Sequence, residues 1–166
     1  MEIIKKRKPL SNSEIRELLK ELNSLPVNIL PQQIKEAEAI ILNDNLILYL
    51  INKLPLLIKK DNVILPSLFN IKKNELPLIY VDEGAVSHII NGADIMAPGI
   101  THFDNNVKEN SLVSIKSPDG SIISIGIVLE GFKEKLSIKK GKVIKNLHYK
   151  GDKLYKVCYE FIKKVI

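Results

Sequence analysis

Residues 81–101, VDEGAVSHIINGADIMAPGIT, constrain the fold more than any other stretch of the chain. They contain three of the eight glycines, Gly84, Gly92 and Gly99, and a proline stands directly before the last of them. Glycine suits positions where φ is positive or where another backbone must come close. Three glycines that interrupt an apolar run therefore indicate a shaped surface more than a simple core element. No catalytic set of residues is obvious within the stretch.

The same stretch predicts a strand, a helix and a sharp turn. Residues 78–81 are apolar and predict a short strand, and Asp82 is placed to cap the helix that follows it. Asn91 and Gly92 end that helix in the way that residues tolerant of left-handed geometry do. Residues 93–97 extend again before the turn at Pro98, and Met96 is expected in the core.

Before this stretch, the chain predicts one helix packed on a small antiparallel sheet. The S-x-x-E pattern of Ser11 and Glu14 predicts a capping box. It precedes apolar residues spaced i, i+3, i+4 and i+7 along one helical stripe: Ile15, Leu18, Leu19 and Leu22. Apolar runs then alternate with polar turns, which predicts two hairpins over 39–51 and 54–65, and a short helical piece over 68–71. In the second hairpin turn, Asp61 and Asn62 suit left-handed geometry.

The last third of the chain is expected to be rich in β structure. Strands are predicted at 112–116 and 122–129 around a turn, at 143–149, and at 154–161. Gly126 interrupts one strand and indicates a bulge or a close backbone approach. The polar residues 72–75 before Pro77 mark the best domain boundary. The fold class is therefore α+β, with one domain over 1–75 and a small bent sheet or barrel over 76–166.

Positive charge is distributed unevenly along the chain, whose formal net charge is +6. Residues 77–130 carry seven acids and two lysines, whereas residues 131–166 carry eleven lysines and three acids. Lysines that solvate a surface explain this pattern, and so does an electrostatic footprint for RNA or a ribosome. The run KKRK at 5–8 is usually a solvated end and only sometimes a phosphate-binding arm.

Other features of the composition point to the cytoplasm. No apolar run reaches the roughly 20 residues that a membrane span needs, and the start lacks the apolar core of a signal peptide. Cys158 is the single cysteine, which suits a reducing compartment, and it is expected as a small buried hydrophobe in a strand. We expect a soluble cytoplasmic protein with no membrane association.

The second half of the chain resembles the PUA domain, named for pseudouridine synthases and archaeosine transglycosylases. The resemblance rests on VDEGA at 81–85, NGADIMAPGI at 91–100 and GIV at 126–128. It implies a pseudo-β-barrel that binds structured RNA through the helix, the loop after it and the neighbouring strand ends. The ending GKVIKNLHY at 141–149 is similar to the small proteins that join a pre-PUA domain to a PUA domain, whose eukaryotic members are called multiple-copies-in-T-cell-lymphoma.

This wider resemblance implies a role in translation for the whole chain, as an archaeal relative of that family. Family members act on the small ribosomal subunit and handle tRNA in initiation, reinitiation or recycling. Eukaryotic members work with a partner that carries an initiation-factor-like domain. The expected partners are therefore structured RNA, either tRNA or rRNA, the small ribosomal subunit, and such a protein.

The RNA-binding residues implied by the resemblance lie in the glycine-marked segment and in the lysine-rich stretch. Glycines let a nucleic-acid backbone approach main-chain N–H groups, lysines contact phosphates, and His148 could stack or donate a hydrogen bond. The glycines could equally be purely conformational. The predicted set is Gly84, His88, Gly92, Ala93, Asp94, Pro98, Gly99, Lys139, Lys140, Lys142, Lys145 and His148.

Catalysis finds little support in the sequence. The three histidines have no cysteine partners and no H-x-x-x-H spacing, so neither a zinc site nor a cofactor is expected. The first hypothesis is a non-enzymatic RNA-binding protein of translation. The alternatives are an accessory RNA-binding subunit for a tRNA- or rRNA-modifying enzyme, such as a transglycosylase or pseudouridine synthase, and a module that docks protein through the pre-PUA sheet.

Overall fold

The computed structural model describes residues 4–22, 25, 29–70 and 75–165. The chain divides into two compact units, one made of Met1–Glu75 with Lys153–Ile166 and the other of Leu76–Asp152. Over the described ranges the chain forms four α-helices and eleven strands. The predicted α+β class is therefore confirmed. Most of the predicted linker at 72–75 lies outside the described residues.

The first unit is an antiparallel meander in which every strand pairs with its neighbours in sequence, in the order β1-β2-β3-β4-β5. Its elements are β1 (Lys6–Pro9), α1 (Asn12–Lys20), β2 (Ala37–Asn43), β3 (Leu46–Ile51), β4 (Leu54–Lys60), β5 (Val63–Pro66) and α4 (Lys153–Val165).

Helix α1 begins with the predicted capping box. The Ser11 hydroxyl accepts a hydrogen bond from the Glu14 N–H at 3.2 Å, and the Glu14 carboxylate accepts one from the Ser11 N–H at 3.0 Å. These two bonds satisfy backbone donors that a helix start otherwise leaves unpaired. Leu18 of α1 and Leu22, two residues beyond its end, are buried in the same core cluster as the sheet residues Ala39 and Tyr49.

Left-handed turn residues set the register of the meander. Asn52 and Lys53, between β3 and β4, have φ of 51° and 71°, and Asp61 and Asn62, between β4 and β5, have φ of 49° and 68°. Two consecutive residues with positive φ are typical of the tight turns that match the twist of paired strands. Both predicted hairpins are confirmed. Residues 68–70, where a helical piece was expected, form a turn, and residue 71 lies outside the described range.

The basic run near the N-terminus is an edge strand, where the sequence indicated a solvated end. Strand β1 pairs antiparallel with β2, and Arg7 lies opposite Ile40. The Arg7 guanidinium donates to the Glu38 carboxylate at 2.8 Å, so part of the positive charge of this run is neutralised within the sheet. Charged side chains on an edge strand also discourage pairing with other chains.

The prediction of a strand at 154–161 is wrong, because this segment is helix α4. Its buried residues are Leu154, Val157, Cys158 and Phe161, spaced i, i+3, i+4 and i+7. That spacing is helical, and the valine, tyrosine and phenylalanine content misled the sequence interpretation. Cys158 is buried as expected, although in a helix. Helix α4 belongs to the first compact unit, so the second unit ends at Asp152 and not at residue 166.

The second unit is a curled six-stranded sheet with the order β7-β11-β10-β9-β6-β8. All pairs are antiparallel except β6 with β9, which is parallel. Its elements are β6 (Leu78–Val81), α2 (Glu83–Ile89), β7 (Ile95–Met96), a 3₁₀ turn (Ala97–Gly99), β8 (Ile100–Phe103), β9 (Leu112–Lys116), β10 (Ile122–Val128), α3 (Phe132–Ile138) and β11 (Lys142–Tyr149).

Gly126 allows β10 and β11 to approach closely at the point where the sheet bends. A Cβ at this position would lie 2.5 Å from Ile144 Cγ2 and 2.6 Å from the Lys145 carbonyl oxygen. The pairing register shifts between Ile125 and Gly126. The predicted bulge and close approach are both confirmed, and bulges of this kind increase local twist.

Helix α3 was not predicted, because its sequence reads as a lysine-rich connection. It begins after Gly131, which has φ of 80°, and it anchors through the buried ring of Phe132. That ring meets Phe103 edge-on at 5.2 Å between centroids. The core of the second unit therefore includes an aromatic contact that neither periodicity nor composition indicated.

Candidate nucleic-acid interface

Helix α2, the 3₁₀ turn, β7 and the start of β11 enclose a cleft of about 700 Å³. It is called the α2 cleft below. The structure brings seven of the twelve predicted residues to its walls: Gly84, His88, Ala93, Asp94, Pro98, Gly99 and Lys142. The segment 81–101 is therefore a shaped surface, as its glycines indicated. The remaining lining residues are Asp82, Ala85, Ile89, Ile95 and Met96.

Asp82 and Gly99 join the helix start to the turn on the other side of the cleft. The Asp82 carboxylate accepts from the Ala85 N–H at 2.9 Å and so caps α2 as predicted. The Asp82 N–H donates to the Gly99 carbonyl at 2.9 Å. A Cβ at Gly99 would lie 3.0 Å from the Ala85 Cβ, so glycine permits this close approach.

Gly92 ends α2 but does not line the cleft. Its φ is 97°, in the left-handed region that favours glycine, and its N–H donates to the Ile89 carbonyl at 3.0 Å. A Cβ there would also lie 3.0 Å from the Tyr149 hydroxyl. Two structural demands thus fall on this one residue, and they support the conformational interpretation of Gly92 that the sequence left open.

Asp94 is held at the cleft wall by a backbone donor and by a lysine. It accepts from the Asn146 N–H at 2.8 Å, and its other carboxylate oxygen lies 2.9 Å from Lys142 Nζ. Partial burial tends to raise the pKa of the Asp94 carboxyl, but the Asn146 N–H, Lys142 and Lys145 together lower it below its usual value. Asp94 therefore presents a fixed negative charge at the wall of the cleft.

Asn146 positions the cleft from beneath, and the predicted site omitted it. Its side-chain amide donates to the carbonyls of Ile89 at 3.0 Å and Ala93 at 2.9 Å. Its amide oxygen accepts from the Ser124 hydroxyl at 2.7 Å, and the residue is only 8% exposed. A polar asparagine among the apolar residues of strand 143–149 was the signal in the sequence, since buried amides are normally hydrogen-bonded.

The predicted lysines are spread over different surfaces. Lys142 lines the α2 cleft, whereas Lys139 lines a separate hollow of about 320 Å³ with His102. Lys140 and Lys145 are exposed, and Lys145 lies close enough to Asp94 to help lower its pKa. The lysines of α4 lie in the first unit, so the lysine-rich stretch of the sequence is not one continuous patch of the second unit.

Two predicted side-chain positions need correction. His148 is fully buried, and its Nδ1 lies 2.8 Å from Asp152 Oδ2, so the RNA-facing position expected for it does not match the structure. Strand β11 is covered on both faces at this point, since Asn146, Leu147 and His148 are all buried. Met96 was expected in the core but is 48% exposed and lines the cleft.

The cleft combines apolar walls with carboxylates and one lysine. Ile89, Ile95 and Met96 offer apolar contact, whereas Asp82, Asp94 and Lys142 offer hydrogen-bond acceptors and a cation. Such a surface suits a ligand that has flat apolar faces and polar edges. Over the described ranges, no group of three or more His, Cys, Asp or Glu residues is placed to hold a metal ion. Nor is any helix within those ranges both long enough and apolar enough to cross a membrane.

The mixed six-stranded sheet and the cleft beside α2 define the second unit as a PUA domain. The sequence profile of the PUA domain family matches residues 77–150, which covers this unit almost entirely. Two solved structures share the fold over nearly the whole chain. A hypothetical protein from Pyrococcus horikoshii has a TM-score of 0.77 at 28% identity, and it is matched over 92% of this chain and 99% of its own. A conserved PUA domain protein from Thermoplasma acidophilum has a TM-score of 0.69 at 23% identity, over 92% and 99%.

Relatives that match along most of the chain identify its family. Uncharacterized protein MJ1432 of Methanocaldococcus jannaschii is 40% identical over 163 residues, 92% of this chain and 96% of that protein. Translation machinery-associated protein 20 of Schizosaccharomyces pombe is 31% identical over 125 residues, 70% of this chain and 69% of that protein. The chain belongs to this family of PUA-domain proteins, the multiple-copies-in-T-cell-lymphoma family. The resemblance found in the sequence is confirmed.

Proposed function

We propose that this protein binds structured RNA in translation, without catalysis, and that the α2 cleft of the PUA domain is where it does so. The observation that carries the proposal is that six predicted residues of the segment 81–101 meet the distant Lys142 around one cleft. The RNA is tRNA or rRNA, and the small ribosomal subunit is the assembly on which the protein acts. A protein with an initiation-factor-like domain is its proposed partner, and the cytoplasm is its proposed location.

The chemistry of the cleft suits unpaired nucleotides. A nucleobase has flat faces for apolar contact with Met96 and Ile95, and amino and imino groups that donate to Asp82 and Asp94. Phosphates contribute affinity but little sequence information. The exposed lysines beside the cleft, Lys142 and Lys145, are placed to contact the phosphates of the RNA.

The relatives support a role in translation and an RNA ligand. The yeast relatives are named for association with the translation machinery, and the Saccharomyces cerevisiae protein is 28% identical over 75% of this chain. A probable tRNA pseudouridine synthase B of Nanoarchaeum equitans is 41% identical over 66 residues. The aligned region is 40% of this chain but only 19% of that enzyme, so the similarity is to a part of the enzyme.

The test measures the affinity of the purified protein for tRNA and for small ribosomal subunits at two salt concentrations. Two phosphate contacts, at Lys142 and Lys145, lower affinity roughly 7- to 12-fold between about 50 and 200 mM salt, because bound phosphates release counterions. We expect binding at low salt with a steep salt dependence. An absence of binding to both RNAs at low salt would refute the proposal.

A second function is favoured by the similarity to tRNA-modifying enzymes. The chain would then be an accessory subunit that delivers RNA to a catalytic chain. Fractionation of a native lysate separates the two functions, because a translation factor migrates with ribosomal subunits. An accessory subunit co-purifies with a transglycosylase or pseudouridine synthase instead.

A further inference from the structure

A row of three side chains crosses the outer face of the PUA sheet, on strands β9, β6 and β8. Tyr80 on β6 lies opposite Lys116 on β9 and opposite His102 on β8 in the strand register. The flanking residues Ile79 and Ile115 are buried in the core, so the row faces away from it. Lys116, Tyr80 and His102 are called the cross-strand row below.

The row is assembled as an aromatic surface with a cation at one end. The Tyr80 and His102 rings lie 5.3 Å apart between centroids at 52°, and the Lys116 ammonium lies 5.3 Å from the Tyr80 ring centroid. His102 is exposed, and it stands on β8, the edge strand of the sheet. The His102 ring is therefore accessible to a ligand on this face of the sheet.

Two hollows flank the row and connect it to the α2 cleft. A hollow of about 550 Å³ lies beside Tyr80 and Lys116, and the hollow of about 320 Å³ lies beside His102 and Lys139. Thr101 lines both hollows. Pro98 lines the second hollow and the α2 cleft, so the three depressions follow one another around the turn before β8.

Charge decides which part of a nucleic acid fits each hollow. Asp82, Glu83 and Asp119 line the hollow beside Tyr80, where their charges would repel a phosphate. A neutral nucleobase is not repelled, and its amino groups can donate to these carboxylates. Among the lining residues of the hollow beside His102, Lys139 is the charged one, and it suits the phosphate of the same nucleotide.

We propose that the cross-strand row is a stacking platform for one unpaired nucleobase of the RNA whose adjoining segment lies in the α2 cleft, with its phosphate on Lys139. This inference rests on the proposed function, because it names a second contact of the same RNA. Aromatic side chains stack bases of any identity, and Tyr80 with His102 provides such a pair. The platform selects RNA with unpaired nucleotides next to a helix over fully paired RNA.

The test compares two RNA probes, a hairpin with a single-stranded 3′ tail and a blunt hairpin with the same number of phosphates. The wild-type protein should bind the tailed probe more tightly. H102A should lower the affinity for the tailed probe about tenfold, as expected for one lost stacked base, and change that for the blunt probe by less than about twofold. H102F keeps an aromatic face and should retain the preference.

H88A is the matched control, because it also removes an exposed histidine but from the α2 cleft. It should weaken binding of the tailed probe, but in the complex that still forms the tail base should remain stacked on the cross-strand row. A 2-aminopurine base in the tail should lose fluorescence on binding the wild type and H102F, and lose less on binding H102A. Equal weakening of both probes by H102A, or no weakening of either, would overturn the platform, while salt-dependent wild-type binding would leave the proposed function standing. Failure of the wild type to bind either probe would also overturn the platform, and the measurement with tRNA and small ribosomal subunits would decide the proposed function separately.

Discussion

The two compact units build their sheets in opposite ways. In the first, every strand pairs with its sequence neighbour, and two-residue turns such as Asn52–Lys53 join β3 to β4. In the second, β6 pairs in parallel with β9 and β7 pairs with β11. The cleft lies where these distant segments meet, since Asn146 hydrogen-bonds Ile89, 57 positions earlier. Pairing between strands that are neighbours in sequence gives the first unit a simple meander. In the second unit, pairing between strands that are distant in sequence brings together the residues that line the α2 cleft.

The units also differ in charge, in a way that the linear sequence conceals. Residues 76–152 carry nine lysines and nine acids, so the PUA unit has no formal net charge. The first unit carries sixteen basic and ten acidic residues and therefore the whole excess of +6. RNA binding at a neutral unit depends on where its lysines stand. The contribution of individual lysine–phosphate contacts to RNA affinity can therefore be separated by experiment from the contribution of the protein's net positive charge.

The largest effect is expected from charge reversal at the three lysines that are proposed to contact RNA phosphates. Changing Lys139, Lys142 and Lys145 together to glutamate should lower tRNA affinity roughly 100-fold at about 50 mM salt, because direct phosphate contacts are lost. Changing Lys156, Lys163 and Lys164 of α4 alters the net charge by the same amount and should cost only a few-fold through the general field. Fluorescence anisotropy measures both, with circular dichroism as the check on folding. A larger loss from the α4 variant would place the RNA on the first unit.

A smaller effect is expected from two asparagines that each hold a loop. N146A leaves buried carbonyls and a hydroxyl without partners, so it should lower the free energy of unfolding by about 2 kcal/mol. N52G removes the bonds to the backbone of Lys35, Glu36 and Gln33, but these groups are exposed and regain water.

For N52G we expect a loss of about 1 kcal/mol, since glycine also accepts the positive φ of this position. Urea unfolding measures both variants, and hydrogen exchange reports which unit is affected. Equal losses of unfolding free energy in N146A and N52G would show that the burial of the asparagine does not set the cost of removing it.

The smallest effect concerns two carboxylates with low pKa values, one in each unit. The Lys8 ammonium and the Ser11 backbone and hydroxyl donors lower the pKa of Glu14 to about 2. The Ser117 and Ser121 hydroxyls and the Ser121 N–H lower the pKa of Asp119 to about 2. Both values lie below the ordinary ones, so each group stabilises its unit at neutral pH, and this contribution is lost as the pH falls from about 4.5 towards 2.

High salt should separate these two groups. Salt screens the exposed Lys8 ammonium, so the pKa of Glu14 should rise in about 1 M salt, whereas neutral donors should keep the pKa of Asp119 low. Carbon-13 NMR titration of the two carboxyl groups measures this difference. An equal rise in the pKa of both carboxyl groups would show that charge, and not hydrogen bonding, keeps the pKa of Asp119 low.

Local patterns in the sequence predicted helix α1 and the two hairpins of the first unit, but not strand β1 or helix α4. The capping box of Ser11 and Glu14 and the turn at Asp61 and Asn62 depend on residues close in sequence, and both are confirmed. Helix α4 was misinterpreted, since its residues favour strands individually and only their spacing indicates a helix. The motif in 81–101 identified the PUA family by resemblance, and two of its three glycines, Gly92 and Gly99, meet steric demands of the backbone in the structure.

The sequence by itself determined the fold class, the starts of α1 and α2, the hairpin turns of the first unit and the family. Only the tertiary structure decided which predicted residues meet, because strand pairing over long separations is not written in any local pattern. It buried His148 against Asp152, exposed Met96, and placed Asn146 under the cleft. A side chain's face on a strand depends on register, and a bulge such as the one at Gly126 shifts that register by one residue.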